Sequence, residues 1–226
     1  MMPIAGSSFV LRVPVLALTI ARSILSVMLS PPRDAESAAR DAARDAALIA
    51  AIRDGDPAAL ESLARTYGES LIRYSARFVE SIDRAREVVQ DVFFVLWRDR
   101  ATLTITRDVA AYLFWRTRNH ARHVAHADRS SRARDARWTT DWHDGAASRP
   151  TSADSADAAD VRASVWDALS GVPPRCREVF MLVWDEQLSY AEVATILGIS
   201  IPTARNQMSR ALKHLVAVLG SRFGER

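Results

Sequence analysis

The sequence predicts an all-α protein made of two small helical domains joined by a flexible linker. Three observations carry that prediction. Apolar residues recur at helical spacing through most of the 226 residues, with no long alternating strand pattern among them. Glycine is scarce, at 8 in the chain, so few breaks divide the periodic runs. Residues 129–160, RSSRARDARWTTDWHDGAASRPTSADSADAAD, are rich in Ser, Ala, Asp and Arg and lose the periodicity, which reads as a tether. The expected division is an N-terminal extension at 1–45, a helical domain at 46–128, the linker at 129–160, a second helical domain at 161–222 and a tail at 223–226.

Within the extension, residues 9–29 (FVLRVPVLALTIARSILSVML) resemble a signal peptide or a weak membrane span. Arg12, Arg22 and Pro14 interrupt the run, and no Ala-x-Ala cleavage site follows. The reading favoured here is translation beginning at Met28 rather than a membrane anchor. Residues 31–47 read as a loosely helical lead-in.

In the first domain, Asp56 and Pro57 open a helix as cap and first-turn proline, and Leu60, Leu63, Ala64 and Tyr67 form its apolar face. A further helix is expected to carry Leu71, Ile72, Phe78 and Val79. The segment DRAREVVQDVFFVLWRDR, 83–100, then sets Ala85, Val88, Val89, Val92 and Leu96 on an inner stripe. Phe94 and Trp97 lie round its side with Gln90, Asp91 and Arg98. Aromatics beside polar residues suit a protein-docking surface, although they equally suit the core of a small bundle.

From Tyr112 to Ala127 there is no acidic residue, and Arg116, Arg118 and Arg122 share the segment with Tyr112, Phe114 and Trp115. Arginines neutralise phosphates and aromatic faces stack on unpaired bases, a combination suited to single-stranded nucleic acid. A solvated basic helix with inward-packed aromatics is the plainer alternative. His120, His123 and His126 recur every three residues, but no acid or cysteine in that helix completes a metal site. There is no Gly-rich phosphate loop, HExxH or GxSxG, so neither an enzyme nor a cofactor or small-molecule substrate is expected.

In the second domain, LSYAEVATILGISIPTARNQMSRALKHL, 188–215, reads as two helices round a tight turn. Ser189 and Glu192 form a capping box, and Tyr190, Val193, Ala194 and Leu197 make the first apolar stripe. Gly198 supplies a left-handed turn, Ser200 caps the second helix, and Pro202 sits in its first turn. Ala204, Met208, Ala211, Leu212 and Leu215 form the buried stripe. Thr203, Arg205, Asn206, Ser209, Arg210 and Lys213 remain outward, with three cations and no acid. A helix–turn–helix places such a face in the DNA major groove. The pattern alone also fits an αα-hairpin with a solvated basic face. The sequence pI near 9.5 and net charge of +3 suit a nucleic-acid partner, and Lys213 is the only lysine. The single cysteine, Cys176, excludes an intrachain disulfide; its spacing with Val179, Phe180 and Val183 gives it a packing role and fits a reducing cytoplasm.

With both halves in view, the sequence resembles the extracytoplasmic-function (ECF) sigma factors of the sigma-70 family. REVVQDVFFVLW, 86–97, looks like the family's domain-2 helix that binds the polymerase clamp. YLFWRTRN, 112–119, is similar to its Trp-Leu-Tyr-Arg-Ile-Ala-Arg-Asn-like segment. VPPRCREVFMLVWDEQLSYAEVATILGISIPTARNQMSRAL, 172–212, resembles the domain-4 signature over nearly its full length. VFFVLWRDRATL and AAYLF are most similar to the iron-citrate-type and Bacteroides-expanded branches.

The resemblance implies a subunit that binds core RNA polymerase and directs initiation at specific promoters. It implies that Gln90, Asp91, Phe94, Trp97 and Arg98 face the polymerase clamp coiled coil, with the flap as a further contact. It implies that Thr104, Ile105, Thr106, Arg107 and Asp108 form the minus-ten specificity loop, while Tyr112, Trp115, Arg116, Arg118, Asn119 and Arg122 hold the non-template strand. Thr203, Arg205, Asn206, Ser209, Arg210 and Lys213 would read the minus-thirty-five duplex. It further implies an anti-sigma factor as partner, membrane-bound, holding a cytoplasmic protein at the inner membrane. Three departures stand out: Tyr112 replaces a frequent tryptophan, Gln187 occupies a common glycine position, and Pro202-Thr203-Ala204 stands where Gly/Lys-Thr-Val is usual. The alternative is a helix–turn–helix regulator that binds its operator without polymerase.

Overall fold

The structure, a computed structural model, describes residues 35–105, 108–135 and 165–224, and these are helical with short connections. The N-terminal unit holds α1 (Ala35–Arg53), α2 (Pro57–Ser75), α3 (Ile82–Arg98) and α4 (Val109–Asp135); the C-terminal unit holds α5 (Pro174–Trp184), α6 (Tyr190–Leu197) and α7 (Ile201–Gly224). The all-α, two-unit architecture expected from the periodicity is what is found. The apolar stretch at 9–29 and the linker core at 136–160 lie outside the described residues.

Local signals account for most helix ends. Gly55, at φ 91°, turns the chain out of α1, and the Asp56 carboxylate accepts from the Ala58 N–H at 2.9 Å with Pro57 at the first position of α2. Ser81 caps α3 by accepting from the Arg84 N–H at 3.1 Å, and Asp108 caps α4 by accepting from the Ala111 N–H at 3.1 Å. Two features differ from the sequence reading. Leu71 and Ile72 continue α2 instead of starting another helix, because Gly68 is carried inside α2; a helix tolerates one glycine for about 1 kcal/mol. Phe78 and Val79 follow in the turn before α3. Residues 35–47 are also more than a lead-in: α1 is continuous to Arg53, and Asp45 within it is buried, accepting from the Tyr67 phenol and pairing with Arg44 at 2.9 Å.

The inner stripe of α3 is buried as read, with Phe93 added to Ala85, Val88, Val89, Val92 and Leu96. In the C-terminal unit Val179, Phe180, Leu182, Val193, Ile196, Ala204, Met208, Ala211 and Leu215 interlock, with Cys176 buried among them. The two units share one apolar core, and α6 lies directly on α4. Around that seam, basic groups of the N-terminal unit meet acids of the C-terminal unit. Arg118 on α4 grips Glu178 on α5 through Nε at 2.7 Å and Nη2 at 3.2 Å. The Tyr74 phenol donates to the same carboxylate at 2.9 Å. Arg73 reaches Glu186 at 3.1 Å, and Arg77 reaches Asp185 at 3.3 Å while its guanidinium lies 4.0 Å above the Trp166 ring.

Candidate nucleic-acid interface

The helix–turn–helix is built as its sequence prescribes. The Ser189 hydroxyl accepts from the Glu192 N–H at 3.2 Å, and the Glu192 carboxylate accepts in return from the Ser189 N–H. Gly198 closes α6 in the left-handed conformation at φ 65°. The Ser200 hydroxyl then accepts from the Thr203 N–H at 3.2 Å and opens α7. The five stripe residues of α7 are all buried, so the opposite face is forced outward. Arg205, Asn206, Ser209, Arg210 and Lys213 are exposed there, and Thr203 is half-buried beside Ser200. The Arg205 guanidinium lies 5.7 Å from the Tyr190 ring centroid, which ties the first turn of α7 to α6. Among the described residues, no acid is in ion-pair contact with Arg205, Arg210 or Lys213.

Gln187, just before this motif, holds a positive φ of 54°, the backbone state that glycine adopts freely. Its side chain donates to the Trp184 carbonyl at 2.5 Å across the same turn.

On α4 the structure separates residues that the sequence grouped. Tyr112, Trp115 and Arg116 form one patch: the two rings lie 6.5 Å apart and the Arg116 guanidinium sits 5.9 Å from the Tyr112 centroid. Trp115 is 42% exposed, and Asn119 and Arg122 are exposed along the same helix. Arg118 does not join them, since it is held by Glu178. Burial works against its charge, but the hydrogen bonds and charge of Glu178 outweigh that and hold its pKa up. Phe114 is buried, 5.3 Å from Tyr74, and belongs to the core.

Thr104 is exposed and Ile105 half-buried at the foot of the loop before α4; Thr106 and Arg107 lie outside the described residues. Beside this loop is a cavity of about 350 Å³, lined by Ala46, Ile49 and Arg53 of α1 with Ile105, Asp108 and Val109. The sequence reading gave α1 no part in the site; its i, i+3, i+7 spacing of Ala46, Ile49 and Arg53 was the available signal.

The α3 flank divides the two aromatics left open by the sequence. Phe94 is 62% exposed, whereas Trp97 packs partly against the core with the Arg100 guanidinium 4.4 Å over its ring. Gln90 is exposed, Asp91 meets His120 at 2.9 Å, and Arg98 pairs with Asp99 at 2.7 Å. His120 thus finds its acid on α3. Among the described residues there is no group of three or more His, Cys, Asp or Glu placed to hold a metal ion.

Residues 162–215 match the family model described as Sigma-70, region 4. A comparison with curated proteins finds no match. Among solved structures, the chain is similar to CnrH in complex with the cytosolic domain of CnrY, with a TM-score of 0.55 and 23% identity over 79% of this chain and 98% of that one. It is similar to the sigma factor RpoE in complex with the anti-sigma factor NepR from Bartonella quintana, with a TM-score of 0.55 and 23% identity over 70% of this chain and 95% of that one. Residues 162–215, in the C-terminal unit, therefore match sigma-70 region 4, and the described helices share the fold of these solved structures, the sigma factor RpoE among them.

Proposed function

We propose that this chain is an alternative sigma factor that binds core RNA polymerase and directs initiation at a specific set of promoters. The observation that carries the reading is one chain bearing both an acid-free recognition face on a region 4 unit and an exposed aromatic–basic patch on α4. In this reading Thr203, Arg205, Asn206, Ser209, Arg210 and Lys213 read the minus-thirty-five duplex. Tyr112, Trp115, Arg116, Asn119 and Arg122 hold the unpaired minus-ten strand, with Thr104, Ile105, Thr106, Arg107 and Asp108 forming the specificity loop and Arg118 joining once released. Two modest contacts on one polymerase gain effective concentration, so neither need be tight alone. The protein itself performs no catalysis; the polymerase does.

Phe94, Gln90, Asp91, Trp97 and Arg98 form the surface for the clamp coiled coil in this reading, and a large apolar ring left in water is the physical argument for it. An anti-sigma factor is the second proposed partner, supported by the complex of RpoE with NepR. That CnrH carries the cytosolic domain of its partner supports a membrane-bound anti-sigma factor, which would hold this chain at the cytoplasmic side of the inner membrane. No helix among the described residues is long and apolar enough to cross a membrane.

Equilibrium binding to purified core RNA polymerase tests the reading. Phe94→Ala is expected to weaken binding by roughly thirtyfold with unchanged melting, as for a central interface aromatic. Trp97→Ala should lower both binding and stability, because its ring also packs on the core. Parent-like binding by both variants would remove α3 from the polymerase interface.

A further inference from the structure

The described ion pairs across the seam between the units share one polarity. The N-terminal unit supplies Arg73, Arg77, Arg118 and the Tyr74 phenol, and the C-terminal unit supplies Glu178, Asp185 and Glu186. These are not loose surface pairs. Side-chain exposure is 3% for Glu186, 7% for Asp185 and 14% for Glu178, and 16–29% for the arginines. Burial pushes the Glu186 carboxyl up against the pull of Arg73, and pushes the Arg77 guanidinium down against Asp185 and Glu186, so each charge depends on its partner across the seam. Arg118 is the one strand-holding candidate whose donors are consumed here, and a carboxylate accepting two guanidinium bonds occupies them as a phosphate would.

We infer that Glu178, Asp185 and Glu186 form an intramolecular clamp that closes the C-terminal unit over α4 and withholds Arg118 from the single-strand site while leaving the duplex-reading face of α7 open. The inference rests on the proposed sigma-factor reading for the identity of the strand, but the closed form itself rests only on the seam. It predicts a protein whose two DNA activities are regulated separately. Duplex contact is available in the closed chain; strand capture that includes Arg118 requires the units to part. Polymerase, by binding the units at separate places, would supply the parting force.

The test uses the full chain and two opening variants that shift its net charge of +3 in opposite directions. Arg73→Gln with Arg77→Gln makes the chain less basic and strands Asp185 and Glu186 at the seam. Glu178→Gln makes it less acidic and frees Arg118 directly. Scattering in solution reads compactness, and fluorescence anisotropy reads binding to a fluorescein-labelled single-stranded 20-mer and to a duplex of unrelated sequence. The expected result is an enlarged radius of gyration for both variants and a roughly tenfold gain in single-strand affinity, the size of one regained charged hydrogen-bonding contact. Duplex affinity should change less than twofold. Adding Arg118→Gln to Glu178→Gln should abolish the gain.

Unchanged compactness in both variants would overturn the clamp. Expansion without a gain in single-strand binding, or an equal gain for duplex, would overturn the gating role. A variant that lost its helical circular dichroism would be set aside for the other, which touches the opposite unit. Failure of the parent to bind core polymerase would count against the sigma-factor reading alone, since none of these readouts uses polymerase.

Discussion

Replacing Arg210 and Lys213 together by alanine removes two of the three cations on the open face of α7, and the size of the effect can be worked out beforehand. At about 1.5 Å of rise per residue, Lys213 lies some 12 Å along the helix from Arg205. A recognition helix points its N-terminal residues at base edges, which assigns Arg205 to a base and Arg210 and Lys213 to the flanking phosphates. Each phosphate contact contributes about 0.9 to the slope of log K against log salt. The double variant should therefore flatten that slope by about 1.8, so that a fourfold rise in salt costs the parent about twelvefold more affinity than it costs the variant. The assay is anisotropy titration of an unrelated-sequence duplex from 50 to 200 mM salt, because phosphate contacts need no promoter. Both side chains are exposed and alanine suits a helix interior, so melting should be unchanged. A slope flattened by less than 0.5, with folding intact, would refute the assignment of this face to DNA. Arg205→Ala alone should leave the slope nearly as it was and lower discrimination between duplexes.

The turn before and within the helix–turn–helix gives an asymmetric pair. Gly198→Ala should destabilise by roughly 1–2 kcal/mol, all of it conformational, since no atom lies within 4 Å of the added methyl. Gln187→Gly should change stability by under about 0.5 kcal/mol, the relief of its positive φ being offset by chain entropy and the lost bond to Trp184; thermal melting checks both. Met208→Ala, at the centre of the C-terminal core and 2% exposed, should cost roughly 2–5 kcal/mol in denaturant titration. Tyr67 is held above the ordinary phenol range by burial and Asp45, and Tyr74 by burial and Glu178, so both should still absorb as phenols when unfolded tyrosine is half ionised near pH 10. A phenol raised on folding contributes stability that is complete below about pH 10 and is lost as pH rises further, which denaturant titrations across that range will show.

The helix–turn–helix was legible residue by residue because its determinants are local. The capping box, the left-handed Gly198, the Ser200 cap and the five-residue stripe of α7 lie within 28 consecutive positions, and the structure holds all of them. Gln187 was visible only as a departure from a common glycine, and the backbone supplies the physical content of that departure. The path of α2 was misread because two apolar stretches round Gly68 look like two helices until tertiary packing carries one through. The seam was not legible at all. Glu178 and Arg118 are 60 positions apart, and Tyr74 and Glu178 are 104 apart, so no window of sequence shows that they meet. A tether reading of 129–160 says only that the units can move, not where they rest. The burial of Asp45 was hidden for the same reason, its partner Tyr67 lying on the next helix.

The most direct test of the central claim is transcription from fragmented genomic DNA by purified core RNA polymerase, with and without this protein, mapped by the 5′ ends of the transcripts. A sigma factor gives a small, reproducible set of start sites that require the protein, share a pair of upstream elements, and are lost in the Arg205→Ala with Arg210→Ala variant. Binding of the protein to particular duplexes with no start site created on any of them would contradict the claim, and would leave a helix–turn–helix regulator that acts without polymerase.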